Sequence, residues 1–116
     1  MADACLFIGW NRPSPGQQKE AFTFLMKDSA GTLATWKQQG FFESSEAFGL
    51  TAHGGDLNGF VILKGERAKL DELRRTDGFE KFSMTMGSLF DGYGVIPGVT
   101  EEGMKKVMQR NPEFSR

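Results

Sequence analysis

Apolar positions along the chain follow two periods in succession, and their order lays out the architecture. In ACLFIGW, residues 4 to 10, Leu6, Ile8 and Trp10 fall on one face of a strand and Cys5, Phe7 and Gly9 on the other. A strand so patterned is apolar on both sides. NRPSPG then interrupts it with two prolines. Ser14 as cap, Pro15 at the first helical position and Gln17 closing a capping box predict a helix start. From there to about Gln39, Phe22, Leu25, Met26, Ala30, Leu33 and Trp36 form one stripe at spacings of three and four. Gly31 marks a bend or break, at about 1 kcal/mol relative to alanine, and Gly40 supplies a left-handed end.

Period two returns in FFESSEAFGLTA. Phe42, Phe48, Leu50 and Ala52 share a face with Ser44 and Glu46. Ser45, Ala47, Gly49, Thr51 and His53 share the other, which is small and mildly polar. In GFVILKG, Phe60 and Ile62 oppose Val61 and Leu63, so this strand too is patterned for burial on both faces. ERAKLDELRR predicts a charged helix with Leu70 and Leu73 inward. Asp77 and Glu80 offer a capping box for a helix carrying Phe79, Phe82 and Met86. LFDGYGVIPG predicts a last strand loosened by Gly92 and Gly94. Thr100 caps a short terminal helix with a Met104, Val107 and Met108 stripe, expected to pack it.

The order strand, helix, strand, strand, helix, strand predicts an α+β domain of the ferredoxin-like βαββαβ type. It has a four-stranded antiparallel sheet with the first and third strands central, plus a short C-terminal helix. The 116 residues read as one domain, 1–116, with a core of about 4–98 and a helical extension of about 99–112. Helices on one side leave the second sheet face bare, and its apolar residues need a cover. A second copy of the same face provides one, so a homodimer is expected.

Charge narrows the partners. Net charge is −1, with basic and acidic residues interspersed, so no basic face for nucleic acid is expected. The apolar run at the N-terminus is too short for a signal peptide or a membrane span, which points to a cytoplasmic protein. The lone Cys5, in an apolar run, reads as a small buried hydrophobe in a reducing compartment. No metal-ligand spacing occurs, and no cofactor is called for.

Chemistry concentrates in three places. TAHGGDLNGF holds the single histidine, His53, beside Asp56 and an Asn-Gly pair. His53 is a candidate proton shuttle or base, or a histidine that hydrogen-bonds a turn, and GGDLNG is sufficient chemistry for a hairpin. Asp91 and Tyr93 alternate to the same side of a strand, so Asp91 either lines an interior beside the only tyrosine or guards an edge. Trp10, Asn11 and Arg12 provide an aromatic wall with polar and cationic handles for an acidic ligand, or else a core indole and a solvated turn. His53 and Asp91 are the candidate catalytic groups. Trp10, Asn11, Arg12 and Tyr93 are the candidate ligand contacts.

CLFIGW, GFVILKG, HGGDLNG and FDGYGVIPG together resemble the dimeric α+β barrel superfamily over residues 4 to 98. That superfamily includes antibiotic-biosynthesis monooxygenases, EthD-like and YCII-like proteins and stress-responsive barrel proteins. The chain is most similar to small barrel proteins with a HGGDLNGF hairpin followed by DGYGV, a group that brings no assigned activity. The resemblance implies a cavity between two sheets as the site. Haem-degrading members use an Asn, Trp and His set; Asn11, Trp36 and His53 occur here, but His53 falls at a strand end and not on a helix. Haem chemistry is therefore not carried over.

Three functions follow as expectations. The first is a cytoplasmic dimer whose barrel cavity binds a small, partly apolar molecule without a held cofactor. The second is a cofactor-independent enzyme, monooxygenase- or isomerase-like, on a small aromatic or keto substrate. The third is an interaction dimer with a filled barrel.

Overall fold

A computed structural model of the protein describes residues 2–114. Its elements run β1 Ala4–Trp10, α1 Gln18–Thr23, a π-helical turn Phe24–Asp28, α2 Ser29–Gln38, β2 Ser44–Gly49 and β3 Gly59–Gly65. They continue with α3 Arg67–Arg74, α4 Asp77–Leu89, β4 Gly94–Val99, α5 Glu101–Arg110 and a 3-10 turn Pro112–Phe114. The strands form one sheet in the order β2-β3-β1-β4, and every neighbouring pair is antiparallel. β1 and β3, the two strands apolar on both sides, are the central pair.

One face of the sheet carries the core. Leu6 and Ile8 of β1 and Leu63 of β3 meet Leu70 and Leu73 of α3 and Met86 of α4, and all six are fully buried. Trp36 of α2 packs against Phe79 and Phe82 of α4, with ring centroids 5.6 and 5.5 Å away. Burying each such side chain is worth about 1.5–3 kcal/mol, so the helix layer is held chiefly by this face.

The opposite face stays open. By register it carries Phe7 of β1, Phe60 and Ile62 of β3, Phe48 of β2 and Ile96 of β4. These are half-buried or exposed, so the two central strands are covered on one face and not on both. The reason is layer count: one layer of helices can cover only one side of a sheet. Phe60 stacks between Phe7 and Phe48 at 5.0 Å on each side, which shields part of this surface. Gly9 permits it, because a β-carbon there would lie 2.6 Å from Cε1 of the Phe7 ring.

Several local expectations shift by a residue or more. Ser14 does not cap α1. Its hydroxyl donates to Asp91 Oδ1 at 3.0 Å, and the helix begins at Gln18 with no side-chain cap. Gly31 sits within α2 without breaking it, and the irregularity is instead the π-helical turn before it. Thr76, not Asp77, caps α4, its hydroxyl accepting from the Phe79 N–H at 3.1 Å. The ends at Gly40 and Thr100 follow expectation. Gly40 has φ of 83°, with Gly40 N–H to the Lys37 carbonyl and Phe41 N–H to that of Trp36, the pairing of a Schellman end. Thr100 Oγ1 accepts from Gly103 N–H at 3.2 Å.

α5 is tied down at its start. Thr100 donates to the Ala2 carbonyl at 2.8 Å, and Lys106 reaches Asp3 Oδ2 at 3.2 Å. Its Met104, Val107 and Met108 stripe does not pack the helix onto the core but stands exposed. Among the described residues no helix is long and apolar enough to cross a membrane.

Candidate functional site

Trp10, Gly59, Gly49 and Gly94 lie at the same end of their strands, because β1 pairs antiparallel with β3 and β4, and β3 with β2. The loops that leave this end carry every residue the sequence singled out. The topology thus gathers Trp10, Asn11, Arg12, His53, Asp91 and Tyr93 at one end of the sheet. Side-chain geometry then separates them.

His53 lies in the nine-residue connection from Leu50 to Asn58, not on the strand. β2 stops at Gly49 because the chain beyond it turns back through Gly54 and Gly55. The His53 ring staples that loop: Gly55 N–H donates to Nδ1 at 3.2 Å, and Nε2 lies 2.8 Å from the Leu57 carbonyl. That pattern suits the neutral ring with its proton on Nε2. Both nitrogens are thereby engaged inside the loop.

Asp91 occupies the turn before β4 and is exposed. It pairs with the β1 exit. Asn11 N–H donates to the Asp91 carbonyl at 2.8 Å and Asp91 N–H to the Arg12 carbonyl at 2.9 Å. Pro13 bridges Phe90 in the same ladder. So Asn11, Arg12 and Asp91 are neighbours, as parts of a small backbone clasp, and the Arg12 side chain faces solvent. Tyr93 does not share a strand face with Asp91, since Asp91 is in a turn. The Tyr93 hydroxyl shares a 2.8 Å hydrogen bond with Ser83 of α4, on the helix side of the sheet and away from its open face. Burial raises its pKa above the ordinary 10.0, against the opposing effects of the Ser83 hydrogen bond and the Arg74 charge.

Only Trp10 among these six borders a large apolar cavity. A cleft of about 470 Å³ opens between the helical segment and the β2 side of the sheet. Phe22 of α1, Leu25 and Met26 of the π turn, and Ser29, Ala30 and Leu33 of α2 form one wall. Ala47, Phe48, Gly49 and Leu50 form the other, with Trp10, Asn58, Val61 and Phe90 at its base. Its size lies within the ordinary range of small-ligand pockets.

Sequence explains the void. The helix-facing side of β2 offers only Ser45, Ala47 and Gly49, too short to reach a helix across the usual sheet-to-helix gap. The opposing helix has a π turn at this height, where Ser29 N–H bonds the Phe24 carbonyl five residues back. π turns rotate the residues on either side relative to one another. The predicted stripe therefore divides. Ala21 is buried instead of Phe22, while Phe22 and Met26 stand 56% and 76% exposed at the mouth. Leu50 and Asn58, the two ends of the His53 loop, are joined by a 2.8 Å backbone bond and reach the cleft.

The lining holds no charged side chain. Its polar residues are Ser29, whose hydroxyl donates to the Leu25 carbonyl at 2.7 Å, and Asn58. Such a site has neither a base nor a metal ligand set, and suits a neutral, mostly apolar occupant. Among the described residues no three His, Cys, Asp or Glu side chains converge on a metal position. Phe22, Leu25, Met26, Phe48 and Asn58 were not among the expected site residues. The small face of β2 was the legible sign of a gap, but only the opposite wall shows what it holds.

No protein-family model matches the chain, and comparison with curated proteins finds no match.

Proposed function

We propose that the protein is a cytoplasmic homodimer that binds a small, uncharged, largely apolar molecule in the cleft between its helical segment and β2. The observation that carries this is the cleft's uncharged lining with a hydrophobic mouth. Phe22, Met26 and Leu50, three of the exposed large apolar residues, line one cavity. The site shifts from the lumen between two sheets to a cavity within each chain. His53 and Asp91 are absent from its lining, which favours binding over base catalysis.

The strand order and pairing support the ferredoxin-like reading, and the apolar open face supports a dimeric α+β barrel. So does shape. The radius of gyration is 15.7 Å and the molecule is only 19 Å deep, whereas a compact domain of this length has a radius of about 13.4 Å. A second copy on the open face would double the thin dimension. The free thiol of Cys5 fits a reducing compartment.

The test uses N-phenyl-1-naphthylamine, a neutral dye that fluoresces in apolar sites. Saturable binding of one dye per chain, abolished by Ala47→Phe, is expected. Linked stabilisation should follow, about 2.7 kcal/mol at a hundredfold excess over Kd. Binding that never saturates, or that Ala47→Phe leaves untouched, would refute the cleft as the site.

A further inference from the structure

β2 is an edge strand whose outer side is bare. Leu50 N–H donates to the Asn58 carbonyl at 2.8 Å, one step beyond the Gly49–Gly59 pair. Alternation in an antiparallel ladder then turns the backbone groups of Phe48 and Glu46 toward β3. Those of Ser45, Ala47 and Gly49 point away from the sheet. Among the described residues no strand lies beyond β2, and all six of its residues are exposed. Edges are commonly blunted by proline, lysine or a covering element. The other edge strand, β4, carries Pro97, whereas β2 has neither proline nor lysine.

The same three residues supply the helix-facing side of β2, since Ala47 pairs with Val61 and Val61 with the buried Ile8. Ala47 and Gly49 line the cleft and are exposed, so the cleft runs out to the sheet edge beneath Phe22 and Met26. A row of free backbone groups and an apolar cavity thus lie side by side.

Resting on the reading of the cleft as a binding site, and going beyond it in the class of occupant, we infer that β2 receives an extended peptide segment of another protein as a fifth strand. The peptide backbone pairs with Ser45, Ala47 and Gly49. Its alternate side chains, bulky and uncharged, enter the cleft next to Ala47. The intervening ones lie on the open face beside Glu46, the single charged residue of β2, with Lys64 one strand further in. Lysine or arginine suits those positions, because opposite charges on neighbouring strands attract. A second copy's β2 fits less well. Two-fold pairing would set Ser45, Ala47 and Gly49 of each copy side by side, and side chains so small leave the cleft unfilled.

The experiment uses an end-capped seven-residue peptide with leucine at the second, fourth and sixth positions and lysine or threonine between. Calorimetry measures its binding, and N-phenyl-1-naphthylamine displacement reports entry into the cleft. Two further versions are N-methylated, one at the leucines and one at the intervening residues. An added strand presents only one of these sets of N–H groups to β2, the leucines in antiparallel pairing. One peptide per chain is expected, displacing the dye, with roughly tenfold or greater loss of affinity in one N-methylated version and none in the other. Ser45→Pro removes an outward N–H at a residue that does not line the cleft, and should weaken the peptide while sparing the dye. The N-methylated pair needs no variant and stands even if Ser45→Pro folds poorly. Equal binding of both N-methylated versions, or binding that leaves the dye in place, would overturn strand addition. Dye binding without peptide binding would overturn it too and leave the cleft reading intact. Binding of neither would overturn both. A dimer that Ser45→Pro dissociates, with an inert peptide, would give the edge to a second copy instead.

Discussion

The indole of Trp10 lies directly over Gly59 on the neighbouring strand. A β-carbon at Gly59 would sit 2.7 Å from Cζ2 of the indole and 2.8 Å from the Phe48 carbonyl. Trp10 is 7% exposed, packs against Phe90 at 5.9 Å and floors the cleft. Gly59 thus sets the height of the cleft floor.

Gly59→Ala should consequently push the indole out of its seat. Overpacking of this kind costs about 1–3 kcal/mol, visible in urea unfolding. The near-ultraviolet circular dichroism should change with it, and dye affinity should fall. A variant with unchanged stability and spectrum would show that the indole is not confined by this contact.

Tyr93 is the only tyrosine, so tyrosinate absorbance near 295 nm reports it alone. Its buried hydroxyl favours the protonated form, and its pKa is raised above 10.0. The sign follows: this contribution to stability is complete below pH 10, the unfolded value, and is lost as pH rises through the folded pKa. Titration should give a midpoint above 10.0 that returns toward it on unfolding. Tyr93→Phe should cost about 1 kcal/mol by leaving Ser83 without its partner.

Asp3 shows the opposite sign. The Lys106 hydrogen bond and charge hold its carboxyl below the ordinary 3.8, against the desolvation that would raise it. One oxygen, Oδ1, is shielded from solvent, although the side chain as a whole is 31% exposed. The Lys106–Asp3 pair between α5 and the N-terminal segment is therefore complete above pH 3.8 and lost as pH falls through the lower, folded value, while the Thr100 bonds to the Ala2 and Asp3 carbonyls stay. Amide exchange in α5 should accelerate at that acid limb, and Lys106→Met should accelerate it already at neutral pH. Equal exchange in both proteins would mean that α5 is held by other contacts.

His53→Ala should act locally. It removes the ring that accepts from Gly55 N–H, so exchange at that amide should quicken, with a stability loss of about 0.5–1.5 kcal/mol. Dye binding should change less than it does in Ala47→Phe, because His53 does not line the cleft. A loss of binding as large as that of Ala47→Phe would place His53 in the site.

Local pattern was enough for much of the architecture. Strands β1 and β3 were legible end to end, since alternation in ACLFIGW and GFVILKG is set by backbone pleat alone. The α3 and α4 cores were legible because Leu70, Leu73, Phe79, Phe82 and Met86 repeat at helical spacing. Caps were legible to within a residue, as Thr76 against Asp77 shows: neighbouring polar side chains compete, and the backbone bend chooses between them.

What local pattern could not carry was anything formed between distant segments. His53 and Asp91 are individually reactive residue types, and only the β2–β3 connection and the contact of Ser14 with Asp91 show how their hydrogen bonds are spent. The cleft depends on Ala47 and Gly49 facing a π turn that sits more than fifteen residues away along the chain. The small face of β2 was readable by itself, because alternation assigns a residue to a face. Whether a small face is filled or left open depends on what stands across from it, and side-chain volume on one wall says nothing about the other.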